Sequence, residues 1–180
     1  MRLGSTVVSE LLIFVFLNAF ASYPQEASPR VVHASRTELL ARAATGDADA
    51  QFDLGYLYET GVGVPQSFGQ AADYYQTAAE QGHATAANNL ASLYERGQGV
   101  DKNLNTAIHW YQQAAEHGDP TGQCNLASLY FSGRGIRRDY GKALKWFHAA
   151  AQQGLPAAQN NLAYMLLQRH WSLARLHGGG

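Results

Sequence analysis

Side chains able to do covalent or metal chemistry are sparse in this chain, so their spacing decides what they can do. Cys124 is the single cysteine among 180 residues. One thiol closes no internal disulfide, and no basic neighbour is evident that would lower its pKa toward a reactive thiolate. That leaves Cys124 as a small, semi-buried filler. The seven histidines, at 33, 83, 109, 117, 148, 170 and 177, include no H-x-x-x-H pair. Such a pair lets one helix face present two ligands to zinc, so no metal site is expected and the histidines read as surface or cap residues. Serine chemistry lacks its signatures too. G-x-S-x-G is missing, and none of Lys102, Lys142 and Lys145 has a serine three residues before it, which removes the S-x-x-K of penicillin-recognising enzymes. No catalytic, cofactor-binding or metal-ligating residue is assigned, and the chain is expected not to be an enzyme.

Amide and hydroxyl groups recur with more order. Asp53, Asn89, Asn125 and Asn161 share one repeating position, Asn88 and Asn160 the position before it, and Tyr56, Ser92, Ser128 and Tyr164 the position three further on. Asparagine inside a helix costs about 0.5 kcal/mol relative to alanine, so a compensating use is expected. Two uses compete. A carboxamide bonded to the adjacent unit builds a ladder that fixes superhelical pitch, whereas one turned to the groove grips a peptide backbone through its donor and acceptor. The ladder is the expectation for Asn89, Asn125 and Asn161. Tyr56, Asn88, Ser92, Ser128, Asn160 and Tyr164, in positions that vary more, are the candidate partner-binding residues.

These positions recur because the chain does. Gly46, Gly82, Gly118 and Gly154 stand 36 residues apart, with the residues between them in register. Each unit reads helix, Gly-rich turn, helix, an element that must stack on its neighbours to make a core. In the first helix Leu54, Leu90, Leu126 and Leu162 are each followed by Gly55, Ala91, Ala127 or Ala163, a large residue to pack and a small one to allow close approach. Asp47 and Asp119 stand at the cap position, and Pro120 and Pro156 at the first helical position. Turns follow at Gly61-Val62-Gly63-Val64, Gly97-Gln98-Gly99-Val100 and Gly133-Arg134-Gly135-Ile136. Second helices open at Ser67, Asn103 and Asp139, and bury Ala71, Ala107 and Ala143 with Tyr75, Tyr111 and Phe147. The expected boundaries are a capping helix over 35–45, repeats over 46–81, 82–117 and 118–153, and a partial fourth repeat with its cap over 154–177. Arg169 stands where the fourth turn glycine should be, so that first helix is either extended or followed by a capping helix.

Residues 1–21 are different in kind. A positive end at Met1 and Arg2, an apolar run from Leu11 to Leu17 and small Ala19 and Ala21 follow the order of a secretory signal peptide. The run is short of the ~20 residues a spanning helix needs. Export to the periplasm or medium is expected, the alternative being an uncleaved membrane anchor, and 22–34 reads as a linker. Formal net charge is −1, with no run of Lys or Arg, so nucleic acid is not an expected partner. Membrane contact is expected only through the leader.

Taken together, Ala-x-x-x-Leu-Gly/Ala-x-x-Tyr, Gly-x-Gly-Val/Ile, Lys-Ala-x-x-Trp-Tyr/Phe and Ala-Ala-x-x-Gly closely resemble the Sel-one-like repeat family, relatives of tetratricopeptide arrays, over about residues 36 to 168. The resemblance implies an all-α, right-handed α/α superhelix whose concave face, lined by the first helices, is an adaptor surface for a protein or peptide. A cysteine-rich branch of that family has been linked to penicillin binding and β-lactamase activity. A cell-wall-related role of that kind is the alternative here, though the paired cysteines of the branch are absent. A third reading docks a partner on an apolar patch at Trp171, Leu173 and Leu176.

Overall fold

Free amide groups at the start of each helix need acceptors, and the chain supplies them from side chains. The structure, a computed structural model, describes residues 36–177, with side chains as far as Leu167. Eight helices follow one another among the described residues, without a strand: α1 (Arg36–Ala44), α2 (Ala48–Thr60), α3 (Phe68–Glu80), α4 (Ala84–Arg96), α5 (Leu104–Glu116), α6 (Pro120–Ser132), α7 (Tyr140–Gln152) and α8 (Pro156–His177). Asp47, Ser67, Asn103, Asp119 and Asp139 each accept from the N–H three residues on. At α4 the acceptor is His83 Nδ1, 3.1 Å from the Ala86 N–H. Each such cap stabilises its helix by about 1 kcal/mol. α2, α4 and α6 end on Gly61, Gly97 and Gly133 in the left-handed region, whose N–H groups return to Leu57, Leu93 and Leu129 carbonyls.

Leu54, Leu90 and Leu126 are sealed in the core with the rings of Tyr75 and Tyr111. Full burial of each leucine contributes about 1.5–3 kcal/mol. The second turn glycine sets the fit between units. A Cβ on Gly99 would stand 2.2 Å from the Phe68 carbonyl carbon and 2.3 Å from the Gly69 nitrogen, at the start of α3. The second and third turns therefore rest on the second helix of the unit before them, Gly99 on α3 and Gly135 against Leu104 and Ile108 of α5. α2 touches α4 and α4 touches α6, while no pair of second helices meets as closely. Helices that crowd together lie inside the curve, which puts α2, α4 and α6 on the concave side. The whole is an all-α, right-handed α/α superhelix.

The fourth unit stops halfway. α8 runs unbroken past Arg169, the extended alternative, and no second helix folds over it among the described residues. Leu162 is only half-buried and Ala163 is exposed, where Leu54, Leu90, Leu126 and Ala127 are covered. The expected signal peptide at 1–21, linker at 22–34 and terminal glycines 178–180 lie outside the described residues, as do the side chains of Trp171, Leu173 and Leu176. No described helix is long and apolar enough to cross a membrane.

Candidate protein-binding groove

The polar strip on the first helices is bonded across units. Asn125 Nδ2 donates to Asn88 Oδ1 at 3.0 Å, and Asn88 Nδ2 donates to Asn89 Oδ1 at 3.3 Å. One unit on, Asn161 Nδ2 approaches Cys124 Sγ at 3.8 Å. Asn125 and Asn161 each reach back to the preceding position of the previous unit, so the contacts tie α4 to α6 and α6 to α8. Of the six candidate partner-binding residues, Asn88 is 6% exposed, as the acceptor of this ladder, and Ser128 is 5% exposed. Ser128 Oγ donates to the Cys124 carbonyl on its own helix at 2.9 Å. Tyr56, Ser92 and Tyr164 keep partial exposure and Asn160 is exposed. Tyr164 meets Phe131 edge-on, with centroids 6.1 Å apart.

A second cross-unit device joins the buried tyrosines to Glu59 and Glu95, which sequence reasoning passed over. Tyr75 Oη donates to Glu59 Oε2 and Tyr111 Oη to Glu95 Oε2, both at 2.7 Å. The same carboxylates face an arginine of the next unit: Arg96 stands 3.7 Å from Glu59, and Arg134 is in close contact with Glu95. Burial pushes the Tyr75 hydroxyl well up and that of Tyr111 up to about 12, so both stay donors. In the third unit both members change together, to Phe131 and Phe147. That paired change was the available signal. At the same position Glu59 and Glu95 are followed by Phe131 and Leu167.

Glutamines add a third link. Gln81 Nε2 donates to Gln51 Oε1 at 2.6 Å, and Gln153 Nε2 to Gln123 Oε1 at 2.9 Å. Gln51 and Gln123 in turn donate to the Ala43 and Ala115 carbonyls. Cys124 is buried, and that burial pushes its thiol up to about 11, against the opposing contact from Asn161. At neutral pH it is a protonated filler. His83 stacks on Phe52 at 4.6 Å and lies 3.7 Å from Asp49. Burial lowers its pKa, with Asp49 opposing. Asp119, buried too, has its carboxyl pushed up by desolvation against donation from Gly122 N–H and the Thr85 hydroxyl. Among the described residues no group of three or more His, Cys, Asp or Glu side chains could hold a metal ion.

Helical arrays of this kind occur in other proteins. The Sel1 repeat family model matches residues 48–83, 84–119, 120–155 and 156–171. Among solved structures, the chain is similar to c5321, a protective antigen present in uropathogenic Escherichia coli strains displaying an SLR fold. Identity is 37% and the TM-score 0.69, over 72% of this chain and 28% of that one. It is also similar to a Sel1 repeat protein from Oxalobacter formigenes, with 36% identity and a TM-score of 0.67, over 70% of this chain and 52% of that one. The chain thus spans little more than half, or less, of the length of these two. Helicobacter pylori cysteine rich protein B shares the fold at 22% identity and a TM-score of 0.55, over 72% of this chain and 98% of that one. No curated protein matches the chain.

Proposed function

Because the chain belongs to the Sel1 repeat family, whose members are in general protein-interaction scaffolds, we propose that it is a non-enzymatic adaptor holding a protein or peptide in its concave groove. The observation that carries this reading is the division of labour on the first helices. Asn88, Asn125, Asn161 and Ser128 spend their polar groups inside the array, which fixes the curve, while Tyr56, Ser92, Asn160 and Tyr164 keep surface beside them. A preshaped groove holds a partner without itself losing conformational entropy, which favours affinity. Asn88 and Ser128 act in this reading by shaping the floor of the groove, and the four more exposed residues by contact.

Export through the leader belongs to the same proposal, with anchoring by an uncleaved leader as its alternative. The cell-wall or penicillin-binding alternative finds no supporting observation: Cys124 has no pairing partner in the chain, and no S-x-x-K serine is present. The test is capture from native envelope and medium fractions by the full chain, beside a variant carrying Tyr56→Ala, Ser92→Ala, Asn160→Ala and Tyr164→Ala with unchanged helicity and melting. A defined protein retained by the parent and lost by the variant supports the groove. Equal capture by both, or none by either, overturns it. Amino-terminal sequencing of the protein recovered from the cell decides the leader, since a start near Ser22 marks export and cleavage.

A further inference from the structure

A formal net charge of −1 conceals a strong polarity along the superhelix. The first repeat, 46–81, carries six acids, Asp47, Asp49, Asp53, Glu59, Asp73 and Glu80, and no Lys or Arg. The third, 118–153, carries five cations against Asp119 and Asp139, and 154–177 adds Arg169 and Arg175 with no acid. Of those five, Arg134 is taken by Glu95. Arg137, Arg138, Lys142 and Lys145 are exposed and make no ion pair among the described residues. Nearby, Asp139 turns its carboxylate to the Lys142 N–H as the α7 cap. Four unpaired cations thus gather on one turn and the helix start that follows it.

Apolar surface lies beside them. Tyr140 is 53% exposed and meets Phe131 edge-on at 5.5 Å, and Phe131 carries the contact on to Tyr164. One turn beyond Tyr164 on α8, Leu167 is 60% exposed. We propose that this end of the array, Phe131, Tyr140, Tyr164 and Leu167 rimmed by Arg137 and Arg138, docks a protein segment rich in Asp and Glu around an apolar anchor. The inference rests on the scaffold reading above and gives the chemistry of the partner at one end of it. Arginine forks suit carboxylates, and an exposed aromatic beside them supplies the desolvated anchor that a binding hot spot needs.

Single-stranded nucleic acid fits less well, because it stacks bases on open ring faces. Here Arg138 lies over Tyr140 at 5.5 Å, Lys142 over Tyr130 at 5.1 Å and Lys145 over Trp146 at 5.0 Å. The chain's own cations occupy those rings. An anionic membrane would favour a broad basic face, and the six acids of the first repeat oppose one.

The test is fluorescence anisotropy of a labelled peptide of Asp and Glu around a central Leu-Leu pair, titrated with the full chain at low salt and at physiological ionic strength. The expected results are binding that weakens with salt, no binding of the matching Lys peptide, and a loss of about tenfold or more on Arg137→Glu with Arg138→Glu. Tyr140→Ala weakens it about threefold or more, and Arg137→Gln with Arg138→Gln, a milder change at the same residues, gives a second reading should the charge reversal disturb folding. Absence of peptide binding, or equal binding by these variants, overturns the proposal. So does tighter binding of oligo-dT or of phosphatidylserine vesicles at the same salt. The groove is read separately by the capture experiment, so a failure here with capture intact removes only the acidic partner.

Discussion

His83 caps α4 with a bare ring nitrogen, and protonation would remove the lone pair that the Ala86 N–H uses. Burial beside Phe52 lowers its folded pKa below 6.5, with Asp49 and Asp119 opposing. The unfolded chain therefore binds this proton more readily than the folded one. Stability from His83 is complete above 6.5 and is lost as pH falls below it toward the folded pKa. His83→Asn keeps a capping oxygen without that titration. Urea midpoints between pH 5 and pH 8 should decline toward the acid end in the parent, and the variant should lack the component that begins near 6.5. Cys124 makes a simpler prediction. Buried, with its thiol pushed up to about 11, it should resist a maleimide in the native protein and react at once in denaturant. Rapid native labelling would contradict the packing described for α6. The cap oxygens at Asp47, Ser67, Asn103, Asp119 and Asp139 were legible in the sequence because each precedes a helical stripe. His83 was read only as a surface or cap residue like the other histidines, and its type alone did not single it out, because a histidine caps only in one tautomer and does so less commonly than Ser, Thr, Asp or Asn. Asn88 and Ser128 show the same limit. Helical spacing puts a residue on a face, but whether its polar group turns outward or bonds a neighbouring unit depends on how the units are stacked.

Turns and helix pairs carry the fit between units, and here one repeating position separates two effects. Gly63 and Gly99 have the same φ of 72°, yet a Cβ meets nothing within 4 Å at Gly63 and backbone at 2.2 Å at Gly99. Gly63→Ala should cost only the strain of the left-handed conformation, about 1–2 kcal/mol. Gly99→Ala adds a collision between units, and a total of about 2–4 kcal/mol is expected from denaturant unfolding. Equal losses at the two sites would mean that the turn does not seat on α3 as described. Tyr75 and Glu59 give a second case. Removing the hydroxyl by Tyr75→Phe leaves a partly buried carboxylate with Arg96 alone, and a loss of about 1–2 kcal/mol is expected. In a double-mutant cycle with Glu59→Gln the two changes should couple by about 0.5 kcal/mol or more. Helices, turns and their order were readable because the period held through the array and cap residues marked five of its helices. The Tyr–Glu–Arg links were not, since their members lie 16 to 39 residues apart and nothing in a single helix calls for them. They become visible only when Phe131 and Phe147 are seen to replace both partners in one unit.

At the scale of the molecule, every unit among the described residues is covered by the next except the last. α8 covers one side of the third unit, buries Ala158 and offers Asn161 to Cys124. Truncation after residue 155 should therefore lower the melting temperature and broaden the transition while leaving the first two repeats helical, as expected where neighbouring units stabilise one another. A truncated chain that melts as sharply as the parent would show that α8 adds nothing to the array. Net charge is the global property the sequence reading used least well. A single sum of −1 argued against polyanions, while the unit-by-unit distribution runs from a wholly acidic repeat to a basic one. The sum discards position, and position is what a long, curved molecule presents to a partner.

The tight seat of Gly99 on α3 has a last consequence, for how such an array can change length. A turn looks backward, toward the unit already in place, so a newly duplicated unit inserted between two others brings its own tongue and finds a ready slot. α8 has no tongue, because its helix continues through the point where the glycines would stand. Among the described residues it is punctuation: the word gains letters most readily ahead of it.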